Sequence, residues 1–255
     1  MYGVSWVDDL LLVSKNKKVL EDVQKAKLSK FKGRDLGSPT SYLNARIDYN
    51  MEKGRLKLTQ DKLITEMGKK FGIEAGKKKT TPIAAGAVIE GRREEEEDVK
   101  GKVPFAELVG GLLYVANVSR PDISCATSIV ARYASNPAQR HWMLSKGILQ
   151  YLVNTKHLGL CFARGVPCFE AYVDSDYATC RDTRRSRIGY VFVCGGATVA
   201  WQSTLQKVVA NSTAESEYIA TSKAVREAVW IGRLAFELGL RAKGPLSLKV
   251  DNQAY

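Results

Sequence analysis

The sequence predicts a mixed α/β (α+β) chain in which strands and helices occur in separate runs rather than in strict alternation. Three observations predict it. Alternating apolar runs of strand length occupy the first sixty residues, helical periodicities fill residues 105–156, and a strand-rich last third carries one long helix before its final strand. With 255 residues and 45% apolar content, the chain can bury one large core or two small ones.

Taken in order, Val4 to Val13 form two short apolar runs separated by Asp8-Asp9, the pattern of a β-hairpin with both carboxylates at its tip. A helix follows, with Val19, Val23, Ala26 and Phe31 at roughly helical spacing and lysines on the other face. Residues 40–50 and 54–60 alternate around Glu52-Lys53-Gly54 and predict a second hairpin, and residues 61–72 predict a short helix. Gly, Lys, Thr and Pro then dominate from Glu74 to Lys102, and the charge run Arg92 to Asp98 has no apolar periodicity, which reads as a solvated linker. Three helical segments follow, the second with Pro121 in its opening turn. Residues 158–163, 168–174, 187–196 and 197–203 read as successive strands. The long helix starts at Ser212-Thr213-Ala214-Glu215, a capping-box pattern, and Leu246 to Asp251 close the series as a strand. The expected organisation is therefore 1–73, a linker at 74–104, a helical connection at 105–156 and a last domain at 157–255.

Composition narrows the function. Lys and Arg total 39 against 27 Asp and Glu, a formal net charge of +12, which suits a polyanionic partner or simply a soluble basic surface. The five cysteines form no CxxC pair and there are two histidines, which disfavours a zinc site and fits a reducing compartment. No run of 18 apolar residues occurs and the first residues lack a secretory leader, so an intracellular protein, cytoplasmic or nuclear, neither secreted nor spanning a membrane, is expected. The chain opens inside a strand-like run and stops just after another, as a piece of something larger would.

Three acidic residues sit where packing does not require them: Asp174 and Asp251 at strand ends, and Glu217 in the second turn of the long helix. They are 43 and 34 residues apart in the chain. Neighbouring strands can bring two end carboxylates together, and a helix across the sheet can add the third. Such a cluster repels itself unless cations neutralise it. Two magnesium ions about 3.5 to 4 Å apart suit that need and suit phosphodiester chemistry. Taken singly, the same residues read as turn caps and a solvated helix surface. Asp176 is an alternative to Asp174, since both project from the same side of an extended chain.

The run from Ala171 to Leu240, with its STAESEYIA segment at 212–220, followed by Leu248 to Tyr255, resembles the ribonuclease H domain of copia-type LTR retrotransposon Pol polyproteins. In that family the strand-end Asp, the second Glu of the STxExEYIA segment and the Asp of the DNQ segment bind two divalent metals. By position these are Asp174, Glu217 and Asp251. The implied reaction is hydrolysis of the RNA strand of an RNA–DNA hybrid, with water attacking the phosphate and a 3′ hydroxyl leaving, and the implied cofactors are two Mg²⁺ or Mn²⁺ ions.

At the other end, Trp6-Val7-Asp8-Asp9 resembles the reverse-transcriptase YVDD box, whose hairpin presents carboxylates to the magnesium ions of nucleotidyl transfer. An isolated Asp-Asp pair is usually a solvated turn. Here the order of further matches raises it: Arg34 to Gly37, Tyr42 to Ile47, the threonine-proline linker, Val109 to Ser124 and Ser135 to Trp142. The resemblance implies a truncated reverse-transcriptase palm and connection followed by a ribonuclease H-like mixed sheet with flanking helices. Its nucleic-acid partner would be joined by missing polymerase and integrase portions of the same polyprotein. The palm Asp of an earlier strand and the fingers do not precede Met1, so the chain alone is expected not to polymerise DNA.

The sequence departs from the family pattern at Trp6, where Tyr is usual, at Asn44, where Gly is usual, at Tyr177 and Thr179-Cys180, and at Arg187-Ile188 before Gly189. Arg181, Arg184, Arg185 and Arg187 cluster after the first metal-binding strand, either as phosphate contacts or as a solvated loop. His141-Trp142 reads as packing rather than as a ligand or stacking site. Two functions compete: a metal-dependent nuclease, and a catalytically inactive retroelement remnant that binds nucleic acid electrostatically.

Overall fold

The computed structural model describes residues 1–73, 76, 78–84, 86–87, 89–165, 167–241 and 244–250. The chain divides into two compact units, Met1–Leu43 and Asn44–Tyr255. The mixed α+β class expected from the sequence is the one observed, with strands and helices in separate runs.

In the first unit, β1 (Tyr2–Trp6) and β2 (Asp9–Val13) pair antiparallel, with Trp6 opposite Asp9, so Asp8 stands in the two-residue turn. Val7 takes φ +50° there, a conformation costly for a β-branched residue. Helix α1 (Lys17–Lys30) is started by Asn16, whose side chain accepts from the amides of Lys18 and Val19, and Lys27 and Lys30 face its negative end. None of its residues is fully buried, so within this unit the expected apolar stripe stays partly open to solvent. A two-residue strand, β3 (Ser41–Tyr42), precedes the boundary. Asn44 adopts φ +57°, the left-handed conformation that the family's glycine would adopt without strain.

The second unit opens with the predicted hairpin, β4 (Ala45–Asn50) against β5 (Arg55–Thr59), and helix α2 (Asp61–Lys70). Helices α3 (Phe105–Val118), α4 (Ser124–Ala131) and α5 (Gln139–Asn154) follow, α4 after a short 3-10 turn that starts at Pro121. Leu108, Leu112 and Val115 line one face of α3 and are completely buried against Ile64 of α2 and Ile148, Leu149 and Leu152 of α5. This is the larger core.

The strand at β6 (Leu160–Ala163) lies between the two halves of the unit. The sequence groups it with the last four strands, but it pairs antiparallel with β5, Leu160 opposite Leu58 and Ala163 opposite Arg55. A side chain at Gly159 would overlap the Leu58 carbonyl oxygen, so glycine is what allows this close approach.

Strands β7 (Phe169–Asp176), β8 (Arg187–Cys194) and β9 (Ala197–Leu205) then form an antiparallel meander, and β10 (Leu248–Val250) joins β7 in parallel, giving the order β10-β7-β8-β9. Helix α6 (Thr213–Glu237) lies on one face. Ala220, Ala224 and Ala228 let it approach Ala171, Val173, Ile188 and Phe192 closely, the second core. Its start matches the capping pattern in part. Ser212 accepts from the Glu215 amide at 3.1 Å, while the Glu215 carboxylate reaches back one residue further than expected, to the Asn211 amide at 2.7 Å. Ser212→Ala should therefore cost about 1 kcal/mol, read as a lower urea midpoint with an unchanged slope.

In the acidic stretch expected to be a solvated linker, Glu94, Glu95, Glu97 and Asp98 are exposed, while Glu96 and the flanking residues are anchored. Arg140 pairs with Glu96, Arg92 donates to the Glu96 carbonyl at 2.7 Å and to Asn136 at 2.7 Å, and Val99 is buried. Arg140 of α5 and Asn136 just before it provide anchors that the linker's own composition does not reveal. Among the described residues no helix is long and apolar enough to cross a membrane.

Candidate active site

Strand alternation decides where the carboxylates of β7 point. Ala171 and Val173 are buried beneath α6, and Ser175 is held against it by a hydrogen bond to Ser216. Tyr172, Asp174 and Asp176 therefore point to the other face. There they line an open cleft of about 700 Å³ whose walls include Arg187 of β8, Trp201 of β9 and Ser124 and Cys125 of α4. Asp174 is exposed, and one of its oxygens accepts from the Ser175 amide at 2.8 Å.

Glu217 lies on the sheet-facing stripe of α6, 8% exposed, between Ser216 and the buried alanines. It stands next in the chain to Ser216, as Asp174 stands next to Ser175. The Ser175–Ser216 hydrogen bond thus brings the two carboxylate-bearing segments to one end of β7, with Asp174 and Glu217 reaching it from opposite faces of the sheet. Asp251 lies outside the described residues. The described part of β10 ends at Val250, opposite Val173, so its parallel register terminates one residue short of Asp174.

Among the described residues no group of three acidic, histidine or cysteine side chains is arranged to hold a metal ion. The donors that share the cleft, Asp174 and Asp176, are carboxylates, the hard oxygen ligands that suit Mg²⁺ or Mn²⁺ rather than zinc. The donor chemistry therefore fits a magnesium-type ion.

The four arginines separate into two kinds. Arg187 belongs to β8 rather than to the loop; it is 8% exposed, donates to Ser128 at 2.6 Å and Ser203 at 3.4 Å, and forms part of the cleft wall. Burial pushes its pKa down, yet a guanidinium keeps its proton at any physiological pH. Arg181, Arg184 and Arg185 are exposed on the loop, with Arg181 3.7 Å from Glu90 and Arg184 at φ +55°. That loop is fixed at Asp182, which accepts from the Gly91 amide, Tyr133 and Arg132. Burial alone would raise the Asp182 carboxyl, but those three donors hold it below the ordinary range.

His141 is structural, as its sequence setting suggests. It is completely buried and stacks on Tyr133 with ring centres 4.1 Å apart. Its Nδ1 accepts from the Ala138 amide at 3.0 Å, so the proton sits on Nε2, which faces the Glu90 carbonyl at 2.7 Å. Burial lowers its pKa and keeps the ring neutral.

Asp8 and Asp9 are both exposed on the hairpin of the first unit. Sequence reasoning missed Gln206, buried behind Ser175, and Lys249, which lines the cleft and bonds Glu170 at 3.0 Å. The one signal available for Lys249 was its place two residues before Asp251, the expected end of the last strand; Gln206 offered none.

Residues 2–85 match the family model described as reverse transcriptase (RNA-dependent DNA polymerase). The chain is 37% identical over 243 residues to the retrovirus-related Pol polyprotein from transposon TNT 1-94 of Nicotiana tabacum, a match covering 93% of the chain and 18% of that protein. It is 28% identical over 256 residues to the corresponding polyprotein from transposon RE1 of Arabidopsis thaliana, covering 99% of the chain and 17% of the relative. It is also 41% identical over 130 residues to secreted RxLR effector protein 161 of Plasmopara viticola, covering 51% of the chain and 92% of that protein. The chain thus spans under a fifth of the length of the two polyproteins. No solved structure matches it.

Proposed function

Because the chain belongs to the copia-type family of retrotransposon Pol polyproteins, with a reverse-transcriptase portion at residues 2–85, we propose that its last third is a ribonuclease H that cuts the RNA strand of RNA–DNA hybrids. The observation that carries this reading is the cleft in which Asp174 and Asp176 face Arg187, at the end of β7 to which Ser216 and Glu217 are tied. Asp174 and Glu217, with Asp251 by the family pattern and Asp176 as a neighbour, would hold the divalent ions. When bound, such ions supply an activated water and stabilise charge on the phosphate and the leaving oxygen.

The protein's own groups do the rest. Arg187, held rigid by Ser128 and Ser203, offers a fixed positive charge for a phosphate entering the cleft. Trp201 and Tyr172 give the cleft apolar walls. Arg184 and Arg185 supply exposed charge outside it, where they would gain affinity without sequence preference. In the first unit, Asp8 and Asp9 are the carboxylates of nucleotidyl transfer by the same family pattern.

Labelled hybrid incubated with the chain and Mg²⁺ or Mn²⁺ tests the assignment; release of RNA fragments with the DNA strand intact is expected. A second reading, a remnant that binds but does not cut, is favoured by the approach of Asp174 and Glu217 from opposite faces, and binding without fragments would establish it. Replacing Arg184 and Arg185 together by Ala should weaken hybrid binding and reduce the slope of log K against log salt by about 1 to 2, measured by fluorescence anisotropy.

A further inference from the structure

Between the end of β7 and the start of α6, at the edge of the apolar second core and beside the buried Glu217, three buried or half-buried polar side chains meet: Ser175, Ser216 and Gln206. Gln206 directly follows β9 and is 2% exposed. Its backbone amide donates to the Ser186 carbonyl at 2.9 Å, which fixes where the side chain begins. Its Nε2 donates to the Ser216 carbonyl at 2.8 Å and lies 3.3 Å from Ser216 Oγ and 3.4 Å from Ser175 Oγ. A carbonyl only accepts, so the orientation of the amide is determined: nitrogen toward Ser216, Oε1 away.

Two features argue that stability is not the reason for this arrangement. Oε1 is buried and receives no hydrogen bond among the described residues, which costs stability that an apolar side chain would not cost. Meanwhile the three polar groups meet at one place, each serine next in sequence to a proposed metal-binding carboxylate. Ser175 follows Asp174, and Ser216 precedes Glu217. Fixing Ser175 against Ser216 fixes the rise of α6 along β7, and with it the separation of Asp174 from Glu217. Those two residues approach from opposite faces, so a shift of α6 along its axis changes their spacing directly.

We propose that Gln206 is a positioning residue that locks Ser175 to Ser216 and so sets the spacing of the two carboxylates for the divalent ion. This rests on the ribonuclease H reading above. Groups hydrogen-bonded directly to metal ligands typically change metal affinity 10- to 100-fold when lost; Gln206 acts one step further out, through Ser175 and Ser216, which places its effect at the lower end of that range.

The test measures Mn²⁺ binding to the full chain by electron paramagnetic resonance of the free ion, for the parent, Gln206→Met and Ser216→Ala, with thermal melting recorded without metal. Methionine keeps the volume and removes the donor. Gln206→Met is expected to raise the Mn²⁺ dissociation constant about tenfold while the metal-free melting temperature holds or rises. Ser216→Ala, a smaller change that keeps the fold if methionine does not, should weaken binding in the same direction. Unchanged affinity in both variants, in a parent whose Mn²⁺ binding is abolished by Asp174→Asn, overturns the positioning role and leaves the nuclease reading standing. A parent with no Asp174-dependent Mn²⁺ binding overturns both.

Discussion

Replacing Asp174 by Asn is expected to reduce hybrid cleavage about 10³-fold while leaving hybrid binding and the melting temperature nearly unchanged. An ion held by carboxylates contributes several kcal/mol to stabilising charge at a reacting phosphate, and each 1.36 kcal/mol is tenfold in rate. Asn keeps the shape and one weak oxygen ligand but not the charge. The fold should tolerate it, since Asp174 is exposed and its contact, from the following amide, can be made by an Asn oxygen. Glu217→Gln should lower cleavage comparably, but through a buried position that also touches packing. Gel analysis of labelled RNA at saturating hybrid separates the two effects, because loss of rate with retained affinity marks a group that acts on the reacting centre. Equal cleavage by parent and Asp174→Asn would remove Asp174 from the site.

Arg120→Ala is expected to destabilise the second unit by about 3 kcal/mol. The side chain is 1% exposed and makes paired hydrogen bonds to Asp122 at 2.9 and 2.7 Å. It also donates to the Thr155 carbonyl and hydroxyl at 3.0 and 2.8 Å, and lies over the Tyr151 ring, whose hydroxyl bonds Asp122 at 2.8 Å. Removing one partner of a buried pair typically costs 3–5 kcal/mol, and the lower value applies because Asp122 is partly open to water. Burial would raise the Asp122 carboxyl, but the bonds and charge of Arg120, with the Tyr151 hydroxyl, bring it below the usual carboxylate range. Its contribution is therefore complete above the ordinary Asp pKa near 4 and disappears as pH falls through the lower folded value. Urea titration at pH 7 and at pH 3 should show the gap between parent and Arg120→Ala shrinking at the acid end. A gap under 1 kcal/mol at pH 7 would mean that α5 and the Pro121 turn are not joined through this arginine.

The hairpins, the helices and the order of the last strands were legible because each rests on local periodicity and local capping. Ser212 marks α6 because a serine can satisfy an orphan amide three residues on, and that chemistry needs no tertiary partner. The pairing of β6 with β5 was not legible. Its strand character is local, but its partner is selected by the fit of Gly159 against Leu58, more than a hundred residues away in sequence. In the acidic run, charge correctly predicts exposure for Glu94, Glu95, Glu97 and Asp98, but not the anchoring of Glu96, whose partner Arg140 lies 44 residues further along the chain.

Within the candidate site, the position of Glu217 in an early helix turn followed from its surroundings in the chain, whereas Asp174, expected to close its strand, lies two residues before the end of β7 at Asp176. Which face each carboxylate takes did not follow, since that depends on the register with β8 and on how α6 lies across the sheet. Arg187 illustrates the limit. Sequence groups it with three loop arginines, yet it pairs with Asp176 across the β7–β8 ladder and is buried, because β8 begins at that residue.

Paramagnetic broadening by Mn²⁺ in a two-dimensional amide spectrum tests the shared ion most directly. Substoichiometric Mn²⁺ should erase the amide signals of Asp174 and Ser175 on β7 together with those of Ser216 and Glu217 on α6, and Asp174→Asn should restore both sets. Glu217→Gln should restore them as well, and broadening that survives in Glu217→Gln while Asp174→Asn abolishes it would contradict the account: Asp174 and Glu217 would then not serve one metal site.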